Sequence, residues 1–403
     1  MAPYSPKSIV EYNLFLKNLD EKQLKLDATK KLLKESSMET LLKTIMDNFQ
    51  KNRRESSSIV HRDNTLSSPV TPSPPPPPII KTKIHIEAEI NSIDDLLKLT
   101  EKYPVDDETV EYNINMKAIH NIKRPLIKLQ NMIGMNQLKV NIVDQILYFA
   151  QDLHHGEGDF MHTVIYGPPG TGKTEIAKII GRLYSKLGIL TSGTFKKVTR
   201  SDLVAGYLGQ TAIKTKDVIK EALGGVLFID EAYSLGNTEK RDSFSKECID
   251  TLCEALSSHK DNLMVIIAGY EEELKDCFFS YNKGLESRFI WRFKTDDYNA
   301  EELYKIFVKK LTDIGWSLCE DIKYTWFEKK MVYFTYYGRD METLLSKTKI
   351  AHSRRIFCKS AEEKKKLTAL DLEKGFEMYL KNEEIKNRKD KDVYKKMIST
   401  IYV

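Results

Sequence analysis

The chain has few cysteines. There are five in 403 residues, none in a C-x-x-C pair, so the sequence announces neither a disulfide framework nor a thiolate zinc site. The N-terminus lacks the apolar run of a secretory leader, so we expect a reducing, cytoplasmic compartment. No stretch of about eighteen apolar residues occurs, which excludes a membrane-spanning helix. Charge of one sign is also missing. Sixty-three Lys and Arg stand against 58 Asp and Glu, for a net charge of +5, so no global field selects nucleic acid or a membrane surface. Cys248 and Cys253 share a predicted helix, where they either pack in a core or ligate a metal; no His accompanies them.

Proline is sparse except in "PVTPSPPPPP", residues 69–78. Such a run joins neither a helix nor a central strand and favours extended polyproline II, so it reads as a stiff linker (69–80) or as a docking site for a proline-reading domain. Ahead of it, residues 1–68 carry two amphipathic stretches followed by a polar segment. They form a helical or disordered extension that either recruits a partner or associates with itself. After the linker, "KIHIEAEI" alternates at the period of a half-buried strand, "SIDDLLKLTEKY" reads as a helix and "VEYNINM" as a second strand. Together they make a small α+β module over 81–128. From Leu129 to about residue 296, short apolar runs alternate with helices, which calls for a parallel sheet covered on both faces. From 297 to 388 the pattern is helical, and 389–403 reads as a tail.

"GPPGTGKT" comprises Gly167, Pro168, Pro169, Gly170, Thr171, Gly172, Lys173 and Thr174. It comes directly after the strand-like "TVIY" and opens a helix, the setting a phosphate-binding loop requires. Its backbone N–H groups at a helix N-terminus suit a triphosphate, Lys173 adds a positive charge for the β- and γ-oxygens, and Thr174 offers a hydroxyl to Mg²⁺. Downstream, "GGVLFIDEAYSL" delivers Asp230 and Glu231 to the carboxyl end of a strand. There Asp230 is placed to hold Mg²⁺ and Glu231 to accept a proton from an attacking water. ATP hydrolysis, with ATP and Mg²⁺ as cofactors, is the expected chemistry.

The phosphate loop, "LVAGYLGQTA", "GGVLFIDEAYSL", "SKECIDTLCEAL", "MVIIAGYEEEL" and "NKGLESRF" occur in an order and spacing that resembles the AAA+ ATPases of the CbbX/CfxQ type, the group of the red-type Rubisco activases and stage V sporulation ATPases. The resemblance runs from about Met132 to about Glu384. It implies a P-loop α/β core followed by a small all-α lid, and it leaves the N-terminal extension and the α+β module unexplained. It also implies that Ile133 and Gly134 flank the adenine, that Tyr270 falls near the sensor-1 position, and that Arg339 in "GRDMETLL" reaches the γ-phosphate from the lid. Arg288 in "ESRF" becomes an arginine finger acting on a neighbouring subunit, so the resemblance implies a homo-oligomeric ring, six subunits in this family. The bland reading of Arg288 is a surface arginine. Arg354 and Arg355 are expected on a solvated face.

The family also projects a loop into the ring's channel, and Tyr207-Leu208-Gly209 matches its aromatic-hydrophobic-glycine element. The other reading of Tyr207 is a core tyrosine. Three functions compete: a remodeller that pulls a protein client through the pore, a nucleic-acid motor or loader on the same core, and a non-hydrolysing scaffold. The lysine clusters are scattered without interleaved aromatics, so nucleic acid is not indicated. The Lys173, Asp230, Glu231 and Arg288 set argues against a scaffold.

Overall fold

A computed structural model describes residues 82–386 and 388, apart from 106–108, 155–158, 208, 237–241 and 361–362. The expected extension 1–68, the linker 69–80, the tail 389–403 and Leu208 lie outside the described residues. All described residues belong to the unit Ile79–Val403.

Strand β1 (Thr82–Ile84) pairs in parallel with β2 (Val110–Tyr112). The alternation over 83–90 predicts a longer strand, but pairing stops at Ile84. Beyond it the Asn113 side chain takes the place of a neighbouring strand, accepting from the Ile86 N–H (2.9 Å) and donating to the Ile86 carbonyl (3.2 Å). Helix α1 (Ile93–Lys102) is capped by Ser92, whose hydroxyl accepts from the Asp95 N–H, as the Ser-x-x-Asp spacing predicts. Helices α2 (Met116–Asn121) and α3 (Lys123–Gln130) complete the segment. Only Ile86, Leu99 and Met116 form a small cluster of their own. Leu96, Ile119, Leu126 and Leu129 enter the same core as the helix after the phosphate loop, so this segment buries its apolar faces against the parallel-sheet domain.

Helix α4 (Asn136–Ala150) leads into β3 (Thr163–Tyr166), helix α5 (Lys173–Leu187), β4 (Phe195–Val198), helices α6 (Arg200–Leu203) and α7 (Thr211–Ala222), and β5 (Val226–Ile229). Next come helix α8 (Ser243–Ser258), β6 (Met264–Gly269), the short helices α9 (Glu271–Glu273) and α10 (Lys283–Arg288), and β7 (Trp291–Lys294). The strands pair in the order β4-β5-β6-β3-β7, all parallel. Alternation within each strand feeds two cores. Ile165, Phe228, Ile266 and Phe293 join the core that contains α4 and α5, while Val164, Leu227, Ile229 and Ile267 join the core that contains α8. Cys248 and Cys253 belong to the second core, and burial pushes the Cys248 thiol up to about 11, far from a thiolate ligand.

His162, at the entry to β3, is fully buried. Its Nδ1 accepts from the Val265 N–H (3.1 Å), which puts the proton on Nε2, and Nε2 donates to the Leu256 carbonyl (3.0 Å). Burial first, and then the nearby Arg288, lowers its pKa to about 4. A base with a depressed folded pKa is neutral in the fold and charged in the acid-unfolded chain. Its contribution is therefore complete above about pH 6.5 and is lost as pH falls toward 4. We expect unfolding in urea at pH 4.5 to begin at clearly lower denaturant than at pH 7, with about 3 kcal/mol lost across the whole window. A His162→Asn variant, which cannot titrate, should show a flatter pH dependence between those values.

The C-terminal helices are α11 (Ala300–Asp313), α12 (Tyr324–Glu328), α13 (Tyr337–Ile356) and α14 (Ala369–Leu380). They also enclose one minimal parallel pair, β8 (Ser317–Leu318) with β9 (Lys366–Leu367). Arg355 is not on a solvated face. It clamps the buried Asp371 through Nε (2.9 Å) and Nη2 (2.9 Å), while His352 Nδ1 meets the same carboxylate at 3.0 Å. Burial alone would raise the Asp371 pKa, but the bonds from Arg355, His352 and Thr368 hold it well below the usual carboxylate range. Arg354 is exposed as expected. No helix among the described residues is long and apolar enough to cross a membrane.

Candidate functional site

Ligands of open parallel sheets bind beyond the carboxyl ends of the strands. Here the ends of β3, β6 and β5, which are neighbours in the sheet, deliver the phosphate loop, Tyr270 and Asp230-Glu231 respectively. A cavity of about 320 Å³ brings together Pro169, Gly170, Gly172, Lys173, Thr174, Asp230, Glu231, Tyr270 and Arg339. The remaining loop residues shape it from behind. Thr171 Oγ1 donates to the Pro168 carbonyl (2.9 Å), and the Gly167 N–H donates to the Gly269 carbonyl at 3.1 Å.

Lys173 begins α5, and its Nζ donates to the Gly167 (2.7 Å) and Pro168 (2.8 Å) carbonyls. Burial lowers its pKa, opposed by Asp230 and Glu231 across the cavity. Asp230 accepts an ion pair from Lys197 of β4 at 2.7 Å. Glu231 has φ +52°, the left-handed region, which is uncommon for a residue with a side chain and turns the backbone sharply where β5 ends. Tyr270 stands beside Lys173, whose ammonium lies 6.0 Å from the ring centroid.

Helix α13 closes the cavity. The Gly338 N–H donates to the Gly170 carbonyl at 3.1 Å, and a Cβ on Gly170 (φ +77°) would fall 2.1 Å from the Tyr336 carbonyl. Glycine here thus serves both the loop's turn and the close approach of α13. The start of α13 is strained as well: Tyr337 has φ +40°. Burial and then a hydrogen bond with Asp297 push its pKa up to about 12. Ile133 lines a second cavity of about 330 Å³ beside Gly170 and Gly172, where the apolar Met132, Ile179, Ile306 and Tyr298 meet the charged Lys128, Glu175, Lys309, Lys310 and Asp313. Gly134 packs beside it, under Tyr298 and Glu302.

Two sets of candidate residues stand apart. Arg288, at the end of α10, donates to Ser257 Oγ (2.7 Å) and the Gly284 carbonyl (2.5 Å), and it does not line the cavity of Lys173 and Glu231. Tyr207 lies just after α6 and is 73% exposed, and Gly209 has φ +77° with open space around it, so the core-tyrosine reading does not hold. The base of this segment is tied to the far side of Glu231. Arg200 donates to the Ser234 (2.8 Å) and Leu235 (3.2 Å) carbonyls and pairs with Asp242 at 2.5 Å.

Sequence reasoning missed Lys197, Arg200, Tyr233 and the Lys310–Glu342 ion pair (2.5 Å) at the cavity's rim. Only the Lys-Lys end of β4 gave a signal: a strand neighbouring β5 must end beside Asp230.

Residues 163–288 match the model of the ATPase family associated with various cellular activities (AAA). A cfxQ-like protein of Acanthamoeba polyphaga mimivirus, R730, is 38% identical over 333 residues, covering 81% of this chain and 80% of that protein. The chain is a CfxQ/CbbX-type AAA+ ATPase. Stage V sporulation protein K of Bacillus subtilis is 35% identical over 215 residues, and protein CbbX of Cereibacter sphaeroides 34% over 206. Each of these matches spans about half of this chain and 66% of the relative, just under two thirds. The AAA+ ATPase described here is thus an ATP-binding, ATP-hydrolysing P-loop enzyme. Its five-stranded parallel sheet and helical C-terminal region are those expected from the resemblance.

Proposed function

We propose that this AAA+ ATPase assembles into a six-membered ring and uses ATP hydrolysis to remodel a protein client, drawing it into the pore with Tyr207. The observation that carries this reading is Tyr207 itself: an exposed aromatic ring in a glycine-flanked loop, joined by Arg200 to the segment just after Glu231. An aromatic ring offers broad contact without regard to client sequence, and the glycines leave the loop free to move.

The residues around the cavity support the nucleotide chemistry of this reading. The Thr174 hydroxyl and Asp230 carboxylate offer oxygen donors only, the set that suits Mg²⁺, and Asp230 already holds a cation in the Lys197 ammonium. Mg²⁺, when bound, neutralises charge on the β- and γ-phosphates. Lys173 exchanges its two loop carbonyls for phosphate oxygens. Glu231 takes the proton of the water that attacks the γ-phosphorus, Arg339 contributes charge from α13, and Ile133 and Gly134 border the adenine. Tyr270 flanks Lys173 rather than polarising the water. Arg288 serves the site of the adjacent subunit, which requires a closed ring.

Casein, an unfolded protein, is the probe for this reading. It should raise the ATPase rate of the full chain severalfold, and Tyr207→Ala should abolish that rise while basal hydrolysis stays near wild type. Stimulation by single-stranded DNA that survives Tyr207→Ala would replace this reading with a nucleic-acid motor.

A further inference from the structure

Arg339 lines the nucleotide cavity with no side-chain partner to aim it. Among the described residues its guanidinium has no ion-pair partner within 4.0 Å, so its direction is set by the backbone on which it stands. That backbone is the first turn of α13, where Tyr337 has φ +40° and the Arg339 N–H donates to the Tyr336 carbonyl at 2.9 Å. A left-handed φ persists in a residue with a side chain only where its surroundings hold it.

What holds this turn comes from beyond α14. The Asp340 carboxylate, 1% exposed, accepts from the Tyr336 N–H through Oδ2 (2.6 Å) and from Arg388 Nη1 through Oδ1 (2.8 Å). The Arg388 guanidinium also lies 3.6 Å from the centroid of the Tyr336 ring and pairs with Glu384 at 2.6 Å. Arg388 thus grips the turn twice, at the carboxylate that closes it and at the ring of the residue that starts it. Its own support is firm. The chain after α14 makes one further turn, with the Ile385 and Lys386 N–H groups donating to the Asn382 carbonyl, and Ile385 is buried in the same core as Leu344 and Leu345 of α13. On its other side the turn touches the phosphate loop, where the Gly338 N–H meets the Gly170 carbonyl, so a shift of the turn moves Arg339 relative to that loop.

A carboxylate buried as deeply as Asp340 needs a cation, and among the described residues Arg388 is the one within 4.0 Å. A lysine would supply the charge, but only a planar guanidinium donates to Asp340 and Glu384 together while lying against an aromatic ring. We propose that Arg388 is a positioning residue of the nucleotide site: acting through Asp340 and Tyr336, it aims Arg339 at the phosphate loop and so sets the preference for a nucleotide that carries a γ-phosphate. Arg388 itself does not line the cavity. The proposal rests on the reading of Arg339 as the contact that α13 makes to the γ-phosphate.

The test measures that preference as a ratio of affinities. A fluorescent ADP bound to the full chain with Mg²⁺ is displaced by ADP and, separately, by the non-hydrolysable imido analogue of ATP. Arg388→Ala should weaken the analogue roughly tenfold relative to ADP, with ADP itself held within about twofold of wild type. Arg339→Ala should lower the ratio at least as far, and adding Arg388→Ala to it should lower the ratio no further, because both changes remove the same contact. Arg388→Lys keeps a cation beside Asp340 and so protects the fold, yet it should still lower the ratio severalfold. A wild-type ratio in either Arg388 variant, equal loss of ADP and analogue, or full additivity with Arg339→Ala would each overturn the role of Arg388. A wild-type ratio in Arg339→Ala would instead overturn the γ-phosphate contact itself, and the proposal with it.

Discussion

Arg288→Ala should lower ATP hydrolysis about 10³-fold or more, while each subunit still binds ATP. The expectation rests on where Arg288 is not. Lys173, Asp230, Glu231 and Arg339 surround one cavity, and Arg288 lies outside it, held by Ser257 and the Gly284 carbonyl at the end of α10. Within its own subunit it has no phosphate to stabilise. In a ring it would meet the γ-phosphate of the next subunit, where a preorganised guanidinium stabilises charge that develops only in the transition state. Co-assembly gives the decisive measurement. If Arg288 acts in trans on a site whose base is Glu231, neither variant alone has a complete site, but a mixture would contain interfaces where an intact Glu231 faces an intact Arg288. Steady-state ATPase of the mixture should therefore recover well above either variant alone. A mixture as inactive as its components, or a wild-type chain that stays monomeric with Mg-ATP in light scattering, removes the trans assignment.

The parts legible in the sequence are those whose chemistry is compressed into contiguous residues. A phosphate loop needs glycines, a lysine and a hydroxyl within one turn of chain, and Asp230-Glu231 needs only a buried strand before it, so local spacing carried both. The sheet was readable because β5 and β6 are short, uninterrupted apolar runs, as strands covered on both faces must be; which residue enters which core shows only in the fold. What the sequence hid depends on distant partners. Arg355 looked like a solvated residue because its partner, Asp371, lies on another helix and is buried by the packing of α13 on α14. The early end of β1 reflects Asn113, 27 positions away, whose side chain satisfies the Ile86 backbone. Lys197 and the Lys310–Glu342 pair reach the site only because β4 lies beside β5 and α11 packs against α13.

Glu231→Gln should lower the hydrolysis rate by about 10²- to 10⁴-fold, the range for removing a general base, and should leave ATP affinity close to wild type. The substitution keeps the shape of the side chain and its hydrogen-bonding reach, so the left-handed turn at φ +52° that aims residue 231 into the cavity is preserved. Only the capacity to take a proton is lost. Asp230→Asn is the contrasting change. Asp230 holds the Lys197 ammonium and is the proposed Mg²⁺ carboxylate, so its loss should weaken Mg-dependent nucleotide binding as well as catalysis. The two variants therefore separate on one plot of rate against ATP concentration: Glu231→Gln drops the plateau, and Asp230→Asn also moves the midpoint. A Glu231→Gln enzyme that hydrolyses ATP at the wild-type rate would show that another group accepts the proton. With the plateau down and binding intact, the same variant should hold ATP long enough to trap a client, if the proposed remodelling is correct. Tyr207 is then the residue at which a crosslink to the client should form, and the Tyr207→Ala/Glu231→Gln double variant should lose the crosslinked species while still binding nucleotide.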